Sequence, residues 1–138
     1  METQKVRKKN VNRNQVTRVV IADDHPFVRV GLRNLLSREA DIEVVGEAPD
    51  GQTALDMVAA LNPDVLLLDL EMPVLKGYEV ARRLRACGST VRIIALSAHT
   101  DLHLKLIMLD SGAEIYLSKE DAPECLVDAV RLLAPTAA

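Results

Sequence analysis

The stretch "DVLLLDLEMP", residues 64–73, decides how the rest of the chain is read. Its apolar run, Val65 to Leu68, has the length and composition of a strand buried on both faces. It runs straight into Asp69, and Pro73 ends the extended segment. A carboxylate at the end of a buried strand is costly to desolvate unless a cation, a proton or a reaction accompanies it. Asp69 therefore marks where chemistry is to be sought.

Upstream, "RVVIADD" (18–24) reads as another buried strand ending at Asp23, and "PFVRVGLRNLLSRE" (26–39) as a helix with Val28, Leu32, Leu35 and Leu36 on one face. Pro26 suits a first helical turn, where its missing N–H loses nothing. "IEVVGEA" (42–48) is a strand and "GQTALDMVAALN" (51–62) an amphipathic helix closed by Asn62 and Pro63. Downstream the alternation continues: helix 77–87, strand 91–97, helix 101–112, strand 114–119 and helix 122–134. Strict strand–helix alternation predicts parallel strands joined by right-handed crossovers, with helices on both faces. The expected fold is a doubly wound, flavodoxin-like α/β sheet of five strands in the order 2-1-3-4-5.

Composition agrees with one such domain. The chain has 138 residues, 49% of them hydrophobic, yet its aromatics are only Phe27, Tyr78 and Tyr116, so the core is aliphatic and no base-stacking platform is available. No apolar run nears the roughly 20 residues needed to span a bilayer, and the N-terminus lacks a signal-peptide core, which predicts a cytoplasmic protein. Cys87 and Cys125 form no CxxC pattern and are expected to be free thiols. Residues 1–18 hold six basic residues against Glu2, making this segment +5 and the remainder −8. The expected organisation is a basic, disordered tail over 1–17, a domain over 18–134 and a C-terminal remnant over 135–138.

In a doubly wound sheet ligands bind beyond the carboxyl ends of the strands, where strand order reverses. That rule gathers Asp23 and Asp24 from strand one, Asp69 from strand three, Ser97 from strand four and Lys119 from strand five. Three crowded carboxylates call for raised pKa values or a hard divalent cation, Mg²⁺ or Mn²⁺. A carboxylate nucleophile, a metal, an ammonium and a hydroxyl together can cover the oxygens of a phosphoryl group in flight. Taken singly, each of these residues is more often a helix cap or a solvated end. Their recurrence at one end of four strands is the signal.

The segments "ADDHPFVRVGLRNLL" (22–36), "DVLLLDLEMPVLKG" (64–77), "IIALSA" (93–98) and "IYLSK" (115–119) closely resemble the receiver domain of two-component response regulators, in particular the NarL/FixJ (LuxR-type) subfamily. The resemblance covers about residues 18–134. It implies that Asp69 accepts a phosphoryl group from a sensor histidine kinase, that Asp24 and Asp69 bind Mg²⁺ directly and Asp23 through water, and that the backbone carbonyl of Glu71 is a further ligand. It implies also that Ser97 is the switch hydroxyl, Lys119 the cation beside the phosphoryl group and Tyr116 the aromatic switch. Such a module is a signalling phosphoacceptor, catalysing only its own phosphorylation and dephosphorylation. The chain departs from the general pattern at Glu120, at Ile115 before the aromatic, and at Glu71, where the subfamily often has a neutral amide. Glu71 and His99 occupy positions that in this family flank attacking water, and they are expected to modulate phosphoryl-group lifetime.

The helix over 101–112 is apolar on two sides: Leu102, Leu106 and Leu109 form one stripe, Leu104, Ile107 and Met108 another. If exposed, the first stripe would serve a homodimer or an output domain, with the last helix as another dimer surface. Only "PTAA" follows that helix, so this chain is not expected to bind DNA directly, although a full-length regulator with a C-terminal domain would. Two readings compete: an interaction-only receiver, and an aspartyl-nucleophile phosphatase, which "DLEMP" disfavours by lacking a DxD pattern and the Gly-Thr after it. Dinucleotide binding is disfavoured by the lack of GxGxxG after strand one.

Overall fold

The computed structural model describes residues 16–98 and 101–135. The expected tail up to residue 15, His99 and the last three residues lie outside them. Five strands, β1 (Thr17–Ala22), β2 (Ile42–Ala48), β3 (Val65–Asp69), β4 (Arg92–Ser97) and β5 (Ile115–Ser118), alternate with five helices. These are α1 (Pro26–Ser37), α2 (Gly51–Leu61), α3 (Gly77–Ala86), α4 (Leu102–Asp110) and α5 (Ala122–Leu132). All strand pairs are parallel, in the order β2-β1-β3-β4-β5. This is the order expected from the alternation.

Local signals set the boundaries. Pro26 opens α1. Asp50 caps α2 by accepting from the Thr53 N–H at 2.8 Å, and Asn62, left-handed at φ 49°, ends it.

Successive residues along a strand face opposite sides of the sheet, and the packing follows that rule. Val20, Leu66, Leu68, Ile93 and Ala95 pack with Ala54 and Val58 of α2, Val80, Ala81 and Leu84 of α3, and Met108 of α4. Their neighbours Val19, Ile21, Leu67, Ile94 and Leu96 pack with Leu32 and Leu36 of α1 and with Leu126, Ala129 and Val130 of α5. β3 is buried along its whole length, so truncating Leu67 to Ala would cost about 2–5 kcal/mol. The central strand is thus a rigid mount for Asp69.

On α4 the two apolar stripes separate. Met108 is fully buried, whereas Leu102 is 66% and Leu106 56% exposed. The first stripe is therefore a surface and not a second core face.

Candidate functional site

The chain leaves β1 towards one edge of the sheet and β3 towards the other, so the crevice between their carboxyl ends is the point where strand order reverses. Asp23 follows β1, its N–H donating to the Ala48 carbonyl at 3.0 Å. Asp69 is the last residue of β3 and Ser97 the last of β4. Lys119 lies one residue past β5, its N–H donating to the Ser97 carbonyl at 2.7 Å. Asp23, Asp69 and Ser97 are all but wholly buried.

Lys119 joins the two buried acids, with Nζ 2.8 Å from Asp23 Oδ2 and 3.3 Å from Asp69 Oδ1. The Glu71 N–H donates to Asp69 Oδ1 at 3.3 Å. Asp69 Oδ2 and Asp24 Oδ1 are buried with no hydrogen bond. Burial, then the nearby Asp23 charge, push the Asp69 carboxyl up to about 6, against the lowering pull of Lys119 and the Glu71 amide. For Lys119, burial alone would lower the ammonium pKa; hydrogen bonding to Asp23 and the charges of Asp69 and Asp23 outweigh it and leave the pKa raised.

One ammonium against three carboxylates leaves two negative charges, with Asp69 Oδ2 and Asp24 Oδ1 making no hydrogen bond and only the His25 ring beside the second, a deficit that a divalent cation would match. Asp23, Asp24, His25 and Asp69 each place a donor atom within 4.8 Å of the others. The residues present fit a hard cation held by carboxylates.

The loop after β3 is shaped around this point. The Leu75 N–H donates to the Pro73 carbonyl at 2.9 Å across Val74, whose φ is 73°, so a β-branched residue occupies a strained γ-turn. At Gly77 a Cβ would stand 2.8 Å from the Asp69 carbonyl oxygen, so only glycine lets α3 begin this close to the Asp69 backbone.

The crevice brings together Asp23, Asp24, Asp69 and Lys119, with Ser97 at the adjoining strand end. Tyr116 lies on β5, half-buried against the sheet face shared with α4. Glu71 is exposed, and its carboxylate lies 3.5 Å from Lys76 Nζ. His99, its expected companion, lies outside the described residues. The sequence reading passed over two neighbours. His25 Nδ1 lies 3.0 Å from Asp23 Oδ1 and 2.9 Å from Asp24 Oδ1. Arg29 donates through Nη1 to the Asp23 carbonyl at 2.6 Å and lies 3.4 Å from Glu47 on β2, tying the acidic turn to the edge strand. The available signal was adjacency: His25 directly follows the two acids and Arg29 comes one helical turn later.

The family profile described as the response regulator receiver domain matches residues 19–131. The chain belongs to the response regulator receiver family. Among curated relatives it is 38% identical over 124 residues to the transcriptional regulatory protein DegU of Brevibacillus brevis, covering 90% of this chain and 52% of that protein. It is 42% identical over 113 residues to the nitrate/nitrite response regulator NarP of Escherichia coli, covering 82% and 53% respectively. The receiver domain of a NarL response regulator from Mycobacterium tuberculosis superposes with a TM-score of 0.82 at 38% identity, covering 85% of this chain and 94% of that one. This receiver domain is thus of the NarL/LuxR type, a class of two-component regulators that typically control transcription. The chain spans about half the length of the curated relatives it matches. Among the described residues no helix is long and apolar enough to cross a membrane.

Proposed function

We propose that Asp69 is the phosphoacceptor of this receiver, taking a phosphoryl group from a phosphohistidine on a sensor kinase. The observation that carries this reading is the buried Asp69 carboxylate, one oxygen engaged by Lys119 and the Glu71 amide and the other without a partner. Above about pH 6 the group is ionised, and its raised pKa makes it a better nucleophile than an ordinary aspartate. An O–P bond forms at Asp69 while the P–N bond to the donor imidazole breaks, its electron pair staying on nitrogen.

Lys119 is held on Asp23 as well as on Asp69, so it stands where negative charge grows as phosphorus is transferred. Asp24 and Asp69, with the Glu71 carbonyl, would hold Mg²⁺, and Asp23 would reach it through water. The bound cation supplies charge neutralisation for the phosphoryl oxygens. Ser97, at the end of β4, turns its hydroxyl to the phosphoryl group, and Tyr116 follows on β5. Such contacts exist only in the phosphorylated state and so shift a pre-existing equilibrium of the β4, α4 and β5 surface.

The exposed Leu102 and Leu106 on that surface support use in self-association or in docking an output domain, transcriptional in a full-length regulator. On this reading the receiver spans 18–134, works in the cytoplasm and acts as a signalling phosphoacceptor whose only catalysis is on itself. Glu71 and His99 remain proposed modulators of phosphoryl-group lifetime: identical decay in Glu71→Asn would remove Glu71 from that role.

Intact mass after incubation with Mg²⁺ and a small acyl phosphate tests the assignment. One phosphoryl adduct that needs both the metal and Asp69 is expected. An adduct of equal yield in Asp69→Ala, or none with a cognate kinase, would overturn it.

A further inference from the structure

The peptide that joins Asp23 to Asp24 is held from outside the crevice. Its carbonyl, that of Asp23, accepts from Arg29 Nη1 at 2.6 Å, while the Asp23 N–H donates to the Ala48 carbonyl at 3.0 Å. Because a peptide group is planar, fixing that oxygen sets both ψ of Asp23 and φ of Asp24, and so the direction in which each carboxylate leaves the chain. Arg29 is itself held. Its Nε, buried and without a hydrogen bond, lies 3.4 Å from Glu47 Oε1, and Glu47 also pairs with Arg33 one turn further along α1. Glu47 directly precedes Ala48 on β2. The contacts therefore close a ring, from Asp23 through Arg29 and Glu47 to Ala48 and back to Asp23. With side chains 17% and 25% exposed, Arg29 and Glu47 are largely shielded, unlike a solvated surface pair of little worth.

We propose that Arg29, backed by Glu47, is a positioning residue for the cation site: it fixes the peptide between Asp23 and Asp24 and thereby sets the affinity for the divalent ion, acting through the backbone and not on the ion. The inference deepens the reading of this crevice as the receiver's cation site and rests on it. Charge alone argues the other way. A guanidinium beside the acids repels an incoming cation, so a bystander Arg29 would weaken Mg²⁺ binding and its removal would tighten it. A positioning Arg29 does the opposite, since its removal frees the peptide to rotate and the two carboxylates lose their common aim. The sign of the effect separates the two roles.

The test is titration calorimetry of the whole chain with Mg²⁺ on wild type, Arg29→Met, Arg29→Lys, Glu47→Gln and Asp24→Asn, each checked for fold by circular dichroism. Arg29→Met should lose about tenfold in Mg²⁺ affinity, as removal of a partner that orients a metal ligand commonly does. Arg29→Lys keeps the charge but has no planar fork to span the Asp23 carbonyl and Glu47 at once, so it should also bind Mg²⁺ more weakly, by roughly threefold. A bystander charge predicts no change in that variant, which keeps the test decisive if Arg29→Met fails to fold. Glu47→Gln should weaken binding too, and adding it to Arg29→Met should cost nothing further, because the two act through one contact. Adduct formation from the acyl phosphate gives a second readout: Arg29→Met should need about tenfold more Mg²⁺ to reach half its maximal rate and recover to within about twofold of wild type at saturating Mg²⁺. Unchanged or tighter Mg²⁺ binding in the folded Arg29 variants, with Asp24→Asn still weak, would overturn the positioning role alone. Binding indifferent to Asp24 would overturn the cation site as well.

Discussion

The two ends of the sheet are both crowded with charge and differ in how that charge is satisfied. At the amino end Arg85 donates through Nη1 to the Ser89 and Val91 carbonyls and through Nε and Nη2 to the Gly112 carbonyl, and it pairs with Glu114 at 3.0 Å. Glu114 in turn accepts from the Ile93 N–H at 2.6 Å. Arg18 likewise donates to the Leu61 carbonyl while its own N–H meets Asp64. At the carboxyl end Asp24 Oδ1 and Asp69 Oδ2 are buried with no hydrogen bond. Buried acceptors are almost always satisfied, so orphans at the carboxyl end and filled networks at the amino end fit the proposal that the first reacts and the second holds.

Breaking each end should therefore have a different signature. The largest effect is expected from Lys119→Ala, which removes the cation shared by Asp23 and Asp69. The rate of adduct formation, followed by mass, should fall about a hundredfold. Arg85→Ala should do the reverse. It takes the cation from the Glu114 carboxylate and the side-chain donor from three carbonyls, lowering stability by roughly 3 kcal/mol in urea unfolding while the folded fraction still accepts a phosphoryl group. Loss of acceptance in folded Arg85→Ala would show that the two ends are not separable.

Asp69→Asn sharpens the contrast through pH. A carboxyl raised from 3.8 to about 6 stabilises the fold when protonated, below its unfolded value, and that contribution is lost as pH rises through 6. Without metal the variant should exceed wild type by about 2–3 kcal/mol at pH 8, the gap closing between pH 7 and pH 4. A gap independent of pH would place the strain elsewhere. The smallest effect belongs to Val74→Gly, which relieves a β-branched residue at φ 73° and should stabilise by about 1 kcal/mol.

Much of this was legible in sequence because apolar runs and helical periods alternate strictly, and one topology rule then brings together Asp69 and Lys119, fifty positions apart in the chain. Strand ends were read within a residue or two: β1 ends at Ala22 and Lys119 stands just past β5. The His25 ring was not legible, since its position depends on an Asp23 side chain accepting its N–H. Nor was the exposure of Leu102 and Leu106, because periodicity separates the faces of a helix without saying which one the sheet covers. The strain at Val74 follows from the turn that brings α3 up to Asp69, a tertiary requirement absent from local propensity.

The most direct test of the difference between the two ends is urea unfolding with and without saturating Mg²⁺ in wild type, Arg85→Ala and Asp24→Asn. The orphaned oxygens predict that Mg²⁺ raises the stability of wild type and Arg85→Ala by the same amount and leaves Asp24→Asn nearly unmoved. No stabilisation of wild type, or an equal gain in Asp24→Asn, would contradict the assignment of the carboxyl end as the cation and phosphoryl site.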